Sequence, residues 1–346
     1  MVGIDISDKS IKVAEVTEGD TPKLRAVGWA ALPPGTLVQG FIQDVAQVAQ
    51  NLKEAMSRAS PVPIVGKRVA ASIPEIQSFV SVVEVPMMST REMDEAVQWA
   101  VQQHIPFDLS RVYLDWQPLS EAHEGKIHVL VGAAQREVAD PLLAVLDELQ
   151  LTTVGLELEA QSIVRSLLPL DAREVQGVLI VDLGAVSTNV IFFDQGSMRF
   201  TTSVPQGGDV LTSELAGATG LTLEEAAEQK ALVGVSKQVA QQEIAGPLRA
   251  ATKTLVDRVG QVSRDIVRQV GEGSVIQAIL LAGGAANLSG IVEVFAEVFP
   301  GVPIQLGNPW TNLLPEGREG EAPLSTEEAA HFATALGLAL RRPEYE

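Results

Sequence analysis

Residues 178–204 read VLIVDLGAVSTNVIFFDQGSMRFTTSV. The apolar run at 178–181 is too short for a helix and rich in β-branched residues, so it predicts a buried strand. The strand ends on Asp182, then Gly184 and Ala185, then Ser187 and Thr188. A second strand over 190–193, a turn at Asp194, Gln195 and Gly196, and a third strand over 198–204 complete the unit. A carboxylate at a strand end beside a glycine turn with hydroxyl residues suits phosphate and a hydrated cation. Glycine lets backbone N–H groups approach anionic oxygens, and the carboxylate holds Mg²⁺ through water. Alone the pattern does not decide, because Asp-x-Gly with nearby Ser or Thr is frequent in ordinary β-turns.

A second copy gives it weight. The chain opens MVGIDISDKSIKVAEV, an apolar strand ending on Asp5, a short polar turn, and a strand over 11–16. A turn at 18–20 and a third strand over 23–29 repeat the plan. Ligands of open α/β sheets lie beyond the carboxyl ends of the strands, so the two Asp-bearing turns are expected to converge on one site. A third turn fits that pocket: the strand at 278–282 runs into Gly283, Gly284 and Ala285 and then a helix.

The order Asp-turn, Asp-turn, Gly-Gly-turn resembles the two phosphate loops and the adenosine loop of the actin, Hsp70 and sugar-kinase superfamily. Further text narrows the resemblance: PQGGDVLT from Pro205, TGLTLEEAAEQK ending at Lys230, HIPF at His104–Phe107 with Asp115, GNPW at Gly307–Trp310 and TALGLALR ending at Arg341. Over essentially the whole chain it resembles the type IV pilus assembly protein PilM family. That resemblance implies an α/β fold, actin-like (ribonuclease H-like), duplicated in two domains, with a small inserted α+β subdomain of the FtsA/PilM type. It implies ATP and Mg²⁺ as ligands. Asp5 and Asp182 would hold the metal through water. Ser7, Lys9, Ser10 and Lys12 would form the first phosphate loop, and Gly184, Ala185, Ser187 and Thr188 the second. Gly207 and Gly208 would also touch the nucleotide, and Lys230, Gly283, Gly284 and Ala285 would line its adenosine side.

Composition excludes other classes. The 346 residues carry a formal charge of −19, which argues against nucleic acid and against a broad electrostatic grip on anionic lipid. Cysteine is absent, removing disulfides and thiol chemistry. No basic n-region precedes the acid-broken N-terminal apolar run, and no run reaches transmembrane length. A soluble cytoplasmic protein without direct membrane insertion is the expectation.

The length predicts two domains. Apolar spacing at Phe41, Val45, Val48, Leu52 and Met56 predicts a helix over 44–59 on the first sheet, and residues 67–72 a strand. The first domain covers 1–76, resumes at 153–174 and regains a closing helix within 321–346. Residues 77–152 form the insert. It has a strand over 78–85, a helix opened by a Ser89/Glu92 capping box, strands over 112–117 and 126–131, and a helix over 141–150 that starts as early as Gln135. His104, His123 and His128 lie there without the spacing of a metal site. The second domain covers 175–320, with a helical part over about 209–272. Its stretch 244–270 carries an apolar stripe that reads as core. Residues 324–342 predict one closing helix, without the basic aromatic tail of a membrane anchor.

Glu159 stands where the superfamily places the residue that orients attacking water. A carboxylate there also simply favours a helix N-terminus. The first loop reads Asp5-Ile6-Ser7-Asp8-Lys9-Ser10-Ile11-Lys12, with Ser7 in place of the family's glycine and Asp8 where phosphate oxygens would lie. Ala227 and Ala285 replace a Glu and a third Gly, leaving Lys230 alone. The expectation is weak nucleotide binding, with hydrolysis in doubt. The resemblance implies a cytoplasmic adaptor, peripheral at the inner membrane, in pilus or type II secretion assembly. Its partner would be a PilN-like inner-membrane protein, whose short cytoplasmic N-terminal peptide enters a groove beside the insert. Other assembly-platform proteins are further partners. An active ATPase or kinase of the same fold, or an FtsA-like division protein, is the alternative. Residues 311–315, TNLLP, resemble the partner's I-N-L-L-P peptide and suggest a self-inhibitory mimic.

Overall fold

The computed structural model describes residues 1–342 apart from 20, 103–104, 122–124, 272, 315–321 and 323. The expectations for His104 and His123 fall outside the described residues. Contacts divide the chain into two compact units, one of residues 1–165, 197–201 and 334–346, the other of residues 166–196 and 202–333.

The first unit opens with β1 (Val2–Ser7), β2 (Ser10–Val16) and β3 (Leu24–Ala31). A small hairpin, β4 (Leu37–Val38) and β5 (Phe41–Ile42), precedes α1 (Val45–Ser57) and β6 (Arg68–Ile73). The hairpin escapes the sequence reading because two-residue strands carry no periodicity. Asp44 caps α1 by accepting from the Gln47 N–H at 2.9 Å. After a 3₁₀ turn, Glu75–Gln77, the insert comprises β7 (Ser78–Pro86), α2 (Thr90–Val101), β8 (Val112–Glu121) and β9 (Lys126–Gln135). Then α3 (Arg136–Glu148) leads to β10 (Thr152–Leu158), which hands the chain to α4 (Glu159–Leu167).

The main sheet runs β3-β2-β1-β6-β10, antiparallel through the first three strands and parallel from β1 through β6 to β10. Strand β10 starts at Thr152, because pairing with β6 recruits Thr152 and Thr153 ahead of an irregularity before Gly155. The insert's sheet runs β7-β9-β8 and leaves β8 as an edge. Both β8 and β9 outrun expectation: β8 continues past an irregularity between Pro118 and Ser120, and the last residues of β9, 132–135, pair with 112–115 at the start of β8. The insert has its own core, in which Val97, Val101, Val129 and Val131 are buried.

The second unit holds β11 (Val178–Leu183), β12 (Thr188–Asp194), α5 (Gly208–Thr219), α6 (Leu223–Val233), α7 (Gln242–Val270), β14 (Ala278–Ala282), α8 (Ile291–Val298), β15 (Ile304–Leu306) and α9 (Thr326–Ala330). With β13 (Ser197–Val204), its sheet runs β13-β12-β11-β14-β15. Both sheets thus share one order, third-second-first-fourth-fifth, which is the duplication read from the sequence. Glycine pair 283–284 leads into a 3₁₀ turn, Gly284–Asn287, and α8 begins only after Gly290.

The single closing helix expected over 324–342 is two helices, α9 and α10 (Ala333–Ala339). The His331 and Phe332 N–H groups bond three residues back, to Glu328 and Ala329, and this tightened turn ends α9. Helix α10 packs so closely on α4 that a β-carbon at Gly337 would lie 1.8 Å from the Ser162 carbonyl oxygen. Gly217, inside α5, has no neighbour within 4 Å of that position.

In urea unfolding, Gly337→Ala is therefore expected to destabilise the protein by about 1–3 kcal/mol or more through overpacking against backbone. Gly217→Ala is expected to stabilise by about 0.4–1 kcal/mol, through the restricted unfolded chain.

Candidate functional site

In the second unit, three loops that the sequence singled out meet, with Lys230 of α6 beside them. The β11–β12 turn is closed by the Gly184 N–H donating to Ser187 O at 3.0 Å. The start of α5 lies against it: Gly208 and Asp209 N–H groups donate to Gly184 O and Ala185 O, each at 2.9 Å. A β-carbon at Gly207 would fall 2.6 Å from both carbonyl oxygens, so only glycine admits this approach. Thr188 is fully buried and its hydroxyl donates to Gln206 O at 2.8 Å, bracing the loop from beneath.

Asp182, half-buried at the end of β11, receives the Asn189 amide at 3.4 Å. Gly283, at φ +80°, lies flat against it: a β-carbon there would be 2.4 Å from Asp182 Oδ1. Lys230 reaches from α6, donating to Gly208 O at 2.7 Å and Thr212 Oγ1 at 2.8 Å. A β-carbon at Gly208 would lie 3.3 Å from Lys230 Nζ and 3.7 Å from Ala285 Cβ. Gly184, Gly207, Gly208, Lys230, Gly283 and Ala285 therefore form one neighbourhood. His331 joins it unannounced by sequence, its ring beside Gly284 and its Nε2 3.2 Å from Asn287 Nδ2.

In the first unit the strand expected to end on Asp5 continues to Ser7, so Asp5 lies buried within β1 and directly opposes Lys12 on β2. Lys12 Nζ stands 3.2 Å from Asp5 Oδ2, and the Ser72 hydroxyl donates to Oδ1 at 3.3 Å. Ser7 pairs with Ser10 across the turn, its hydroxyl donating to Ser10 O at 3.0 Å. The Lys9 carbonyl accepts from Leu32 N–H at 2.8 Å. Asp8 turns its carboxylate onto the Gln39 N–H at 2.5 Å. Glu159 opens α4, and its Oε2 accepts from the Glu75 N–H at 3.3 Å.

Among the described residues, no three of His, Asp or Glu gather into a cluster that would hold a metal by protein ligands alone. Single carboxylates such as Asp5 and Asp182 fit Mg²⁺ that keeps most of its waters. The glycine cradle of the second unit fits a flat ring and phosphate oxygens.

The first unit also contains a groove of about 400 Å³ that no single motif marks. Its walls are the insert's sheet, through Val80, Leu130, Gly132 and Ala134, and main-sheet residues Ile73, Leu156 and Leu158. Tyr113, Asp115 and Gln117 of edge strand β8 form a polar lip. Alternation along Tyr113-Leu114-Asp115-Trp116-Gln117 is the signal that could have found it: Leu114 and Trp116 pack on the insert's core, Tyr113, Asp115 and Gln117 line the groove, and Trp116 contributes to its wall as well. Trp116 is pinned by its indole N–H, which donates to Asp94 on α2 at 2.8 Å. Behind the groove, buried Glu157 is gripped by Arg165 at 2.7 and 3.0 Å and by Arg341 at 2.5 Å.

The segment read as a peptide mimic is part of the fold. Asn312 Nδ2 donates to Leu168 O at 2.7 Å, its Oδ1 accepts from Leu170 N–H at 3.1 Å, and Leu313 is buried. Pro315 lies outside the described residues.

Comparison with known proteins places this arrangement. A family profile described as "Type IV pilus assembly protein PilM" matches residues 3–343. The structure titled "PilM-PilN type IV pilus biogenesis complex" contains a chain 25% identical, with a TM-score of 0.82, covering 98% of this chain and 97% of that one. MreB5 of Spiroplasma citri, bound to AMPPNP, shares the fold at 14% identity and a TM-score of 0.53, over 97% of this chain and 93% of that one. Cell division protein FtsA of Pseudomonas aeruginosa is 23% identical over 362 aligned positions, 90% of this chain and 83% of FtsA. The duplicated sheets are thus an actin-like fold, and the chain belongs to the type IV pilus assembly protein PilM family.

Proposed function

We propose that this protein is an adaptor of a pilus assembly platform. Its groove takes a short extended peptide from a PilN-like inner-membrane protein, and its second unit binds an adenine nucleotide weakly with Mg²⁺. The observation that carries the reading is the groove beside β8. An edge strand offers unpaired N–H and C=O groups to an extended peptide, and the apolar trough takes alternate side chains. The chain of highest structural similarity reported above was solved as a complex named for PilM and PilN, which supports this choice of partner. Among the described residues no helix is long and apolar enough to cross a membrane. A partner peptide would therefore supply attachment at the inner membrane.

For the nucleotide, Gly184–Thr188 would meet phosphate and Gly283–Ala285 the adenosine, with Asp182 holding hydrated Mg²⁺. Asp5 offers a second carboxylate, already shared with Lys12. When bound, Mg²⁺ would screen the phosphate charge. The chain's own contribution is the cradle, the Asp182 carboxylate and the Lys230 ammonium that braces α5. An ATPase or kinase reading has less support: Glu159 is the base candidate, and a backbone N–H already engages its carboxylate.

Two measurements test the proposal. Gly132 deepens the trough, since a β-carbon there would meet only Leu158 Cδ1, at 3.3 Å. Gly132→Leu is expected to weaken binding of a labelled I-N-L-L-P peptide at least tenfold in fluorescence anisotropy, about 1.4 kcal/mol. Unchanged affinity would move the peptide elsewhere. In calorimetry with ATP, saturable binding that requires Mg²⁺ and disappears in Asp182→Ala is expected. No heat at saturating ATP would leave the adaptor role without a nucleotide.

A further inference from the structure

Three hydrogen bonds connect the β1–β2 turn to the wall of the groove, all within the first unit. Asp8 Oδ1 accepts from the Gln39 N–H at 2.5 Å. The Gln39 carbonyl accepts from Gln77 Nε2 at 2.8 Å. Gln77 Oε1 accepts from Gln135 Nε2 at 2.8 Å. The middle of this chain is stiff. Gln39 and Gly40 form the whole loop between β4 and β5 and both have positive φ, +51° and +84°, the conformation of a type I′ hairpin turn. The turn is seated on the insert's entry: a β-carbon at Gly40 would lie 3.0 Å from Gln77 Cγ and 3.1 Å from Pro74 Cβ.

The two glutamines at the far end occupy the insert's two junctions. Gln77 ends the entry turn, and Gln135 is the last residue of β9 and the N-cap of α3. Gln135 also pairs with Val112, the first residue of β8. A shift of the Gln77 amide therefore acts on both crossings and on the strand that forms the groove's lip. The same entry turn holds Glu159 through the Glu75 N–H.

We propose that Gln77 is a positioning residue that couples the acidic β1–β2 turn to the opening of the peptide groove. Its amide is used at both ends, the NH₂ toward the turn and the oxygen toward the insert. An anion arriving at the Ser7–Ser10 turn repels the Asp8 carboxylate and competes for the Gln39 N–H. The hairpin tip then loses one anchor, and Gln77 transmits the loss to Gln135. Only the reading of the groove as a peptide site rests on the function proposed above; the coupling between Asp8 and the insert does not.

Amide hydrogen exchange in the full chain, without ligand, tests the coupling. Asp8→Ala is expected to raise exchange several-fold at residues 112–115 and 132–135. Asp8→Asn keeps an oxygen acceptor for Gln39 and is expected to restore slow exchange. Gln77→Glu still accepts from Gln135 but cannot donate to Gln39, so it should reproduce Asp8→Ala with an unchanged Tm, and the double variant should exchange no faster than either single one. Changes confined to residues 7–11 and 37–42, or additive effects of the two substitutions, would overturn the proposal. If calorimetry finds no nucleotide bound, the nucleotide reading falls, while the exchange comparison of the variants still decides the coupling.

Discussion

Parallel pairing of β1, β6 and β10 is the constraint on which the first unit depends. Parallel neighbours end on the same edge of a sheet, and a parallel return needs a crossover rather than a tight turn. Asp5 with its turn, the Glu75–Gln77 turn and Glu159 follow the carboxyl ends of these three strands, so one edge collects them all. The crossover from β6 to β10 must also leave from that edge. Here it carries the whole insert, whose sheet stands over the main-sheet residues Ile73, Leu156 and Leu158 and so makes the groove. The neighbourhood of groove and acidic turn is a result of strand direction rather than of any special contact.

Charge is distributed unevenly over these features. In the β1–β2 hairpin, Lys12 is matched to Asp5 and Asp8 to a backbone N–H, so the turn is satisfied by its own chain. In the second unit, glycines at 207 and 283 keep backbone and carboxylate within reach of an incoming group. The floor behind the groove follows a third pattern. Glu157 is buried between two guanidinium groups, one of them bidentate, which offsets the desolvation of all three charges. Removing one partner of such a set costs about 3–5 kcal/mol, so the set fixes β10, α4 and the chain near Arg341 together.

Much of this was legible in sequence because it depends on local pattern. The strand-Asp-turn-strand text at 2–16 and 178–194 specifies both hairpins, and capping residues Asp44, Ser89 and Thr222 mark three helix starts. What stayed hidden depends on long-range pairing. Residues 152–155 become strand only because β6 is beside them, and Asn312 looks like part of a peptide motif until its amide is seen bonding Leu168 and Leu170. The groove draws on seven separate elements, and the Asp8–Gln39–Gln77–Gln135 chain spans over a hundred residues of sequence, so no window contains either. Resemblance supplied the existence of a groove; only coordinates supply Tyr113, Asp115 and Gly132 as its lining.

Magnitudes indicate what kind of device such a chain of bonds can be. A ligand shifts an equilibrium only by its differential affinity for the two states. Each neutral hydrogen bond contributes about 0.5–1.5 kcal/mol net, and one involving a carboxylate about 1.5–3 kcal/mol. Losing the Asp8–Gln39 bond therefore makes at most about 3 kcal/mol available, and the Gln77 link passes on a fraction near one neutral bond, about 1 kcal/mol. A near-complete reversal of a two-state equilibrium, from 1:99 to 99:1, needs about 5.5 kcal/mol. About 1 kcal/mol is worth roughly fivefold in an affinity, within the ordinary range of allosteric coupling. On the function proposed, the geometry suits graded tuning of the groove rather than an on-off switch. Such tuning would require nucleotide to come and go but not to be cleaved, and the engagement of Glu159 by a backbone N–H and of Asp5 and Asp8 within their own hairpin accords with that reading.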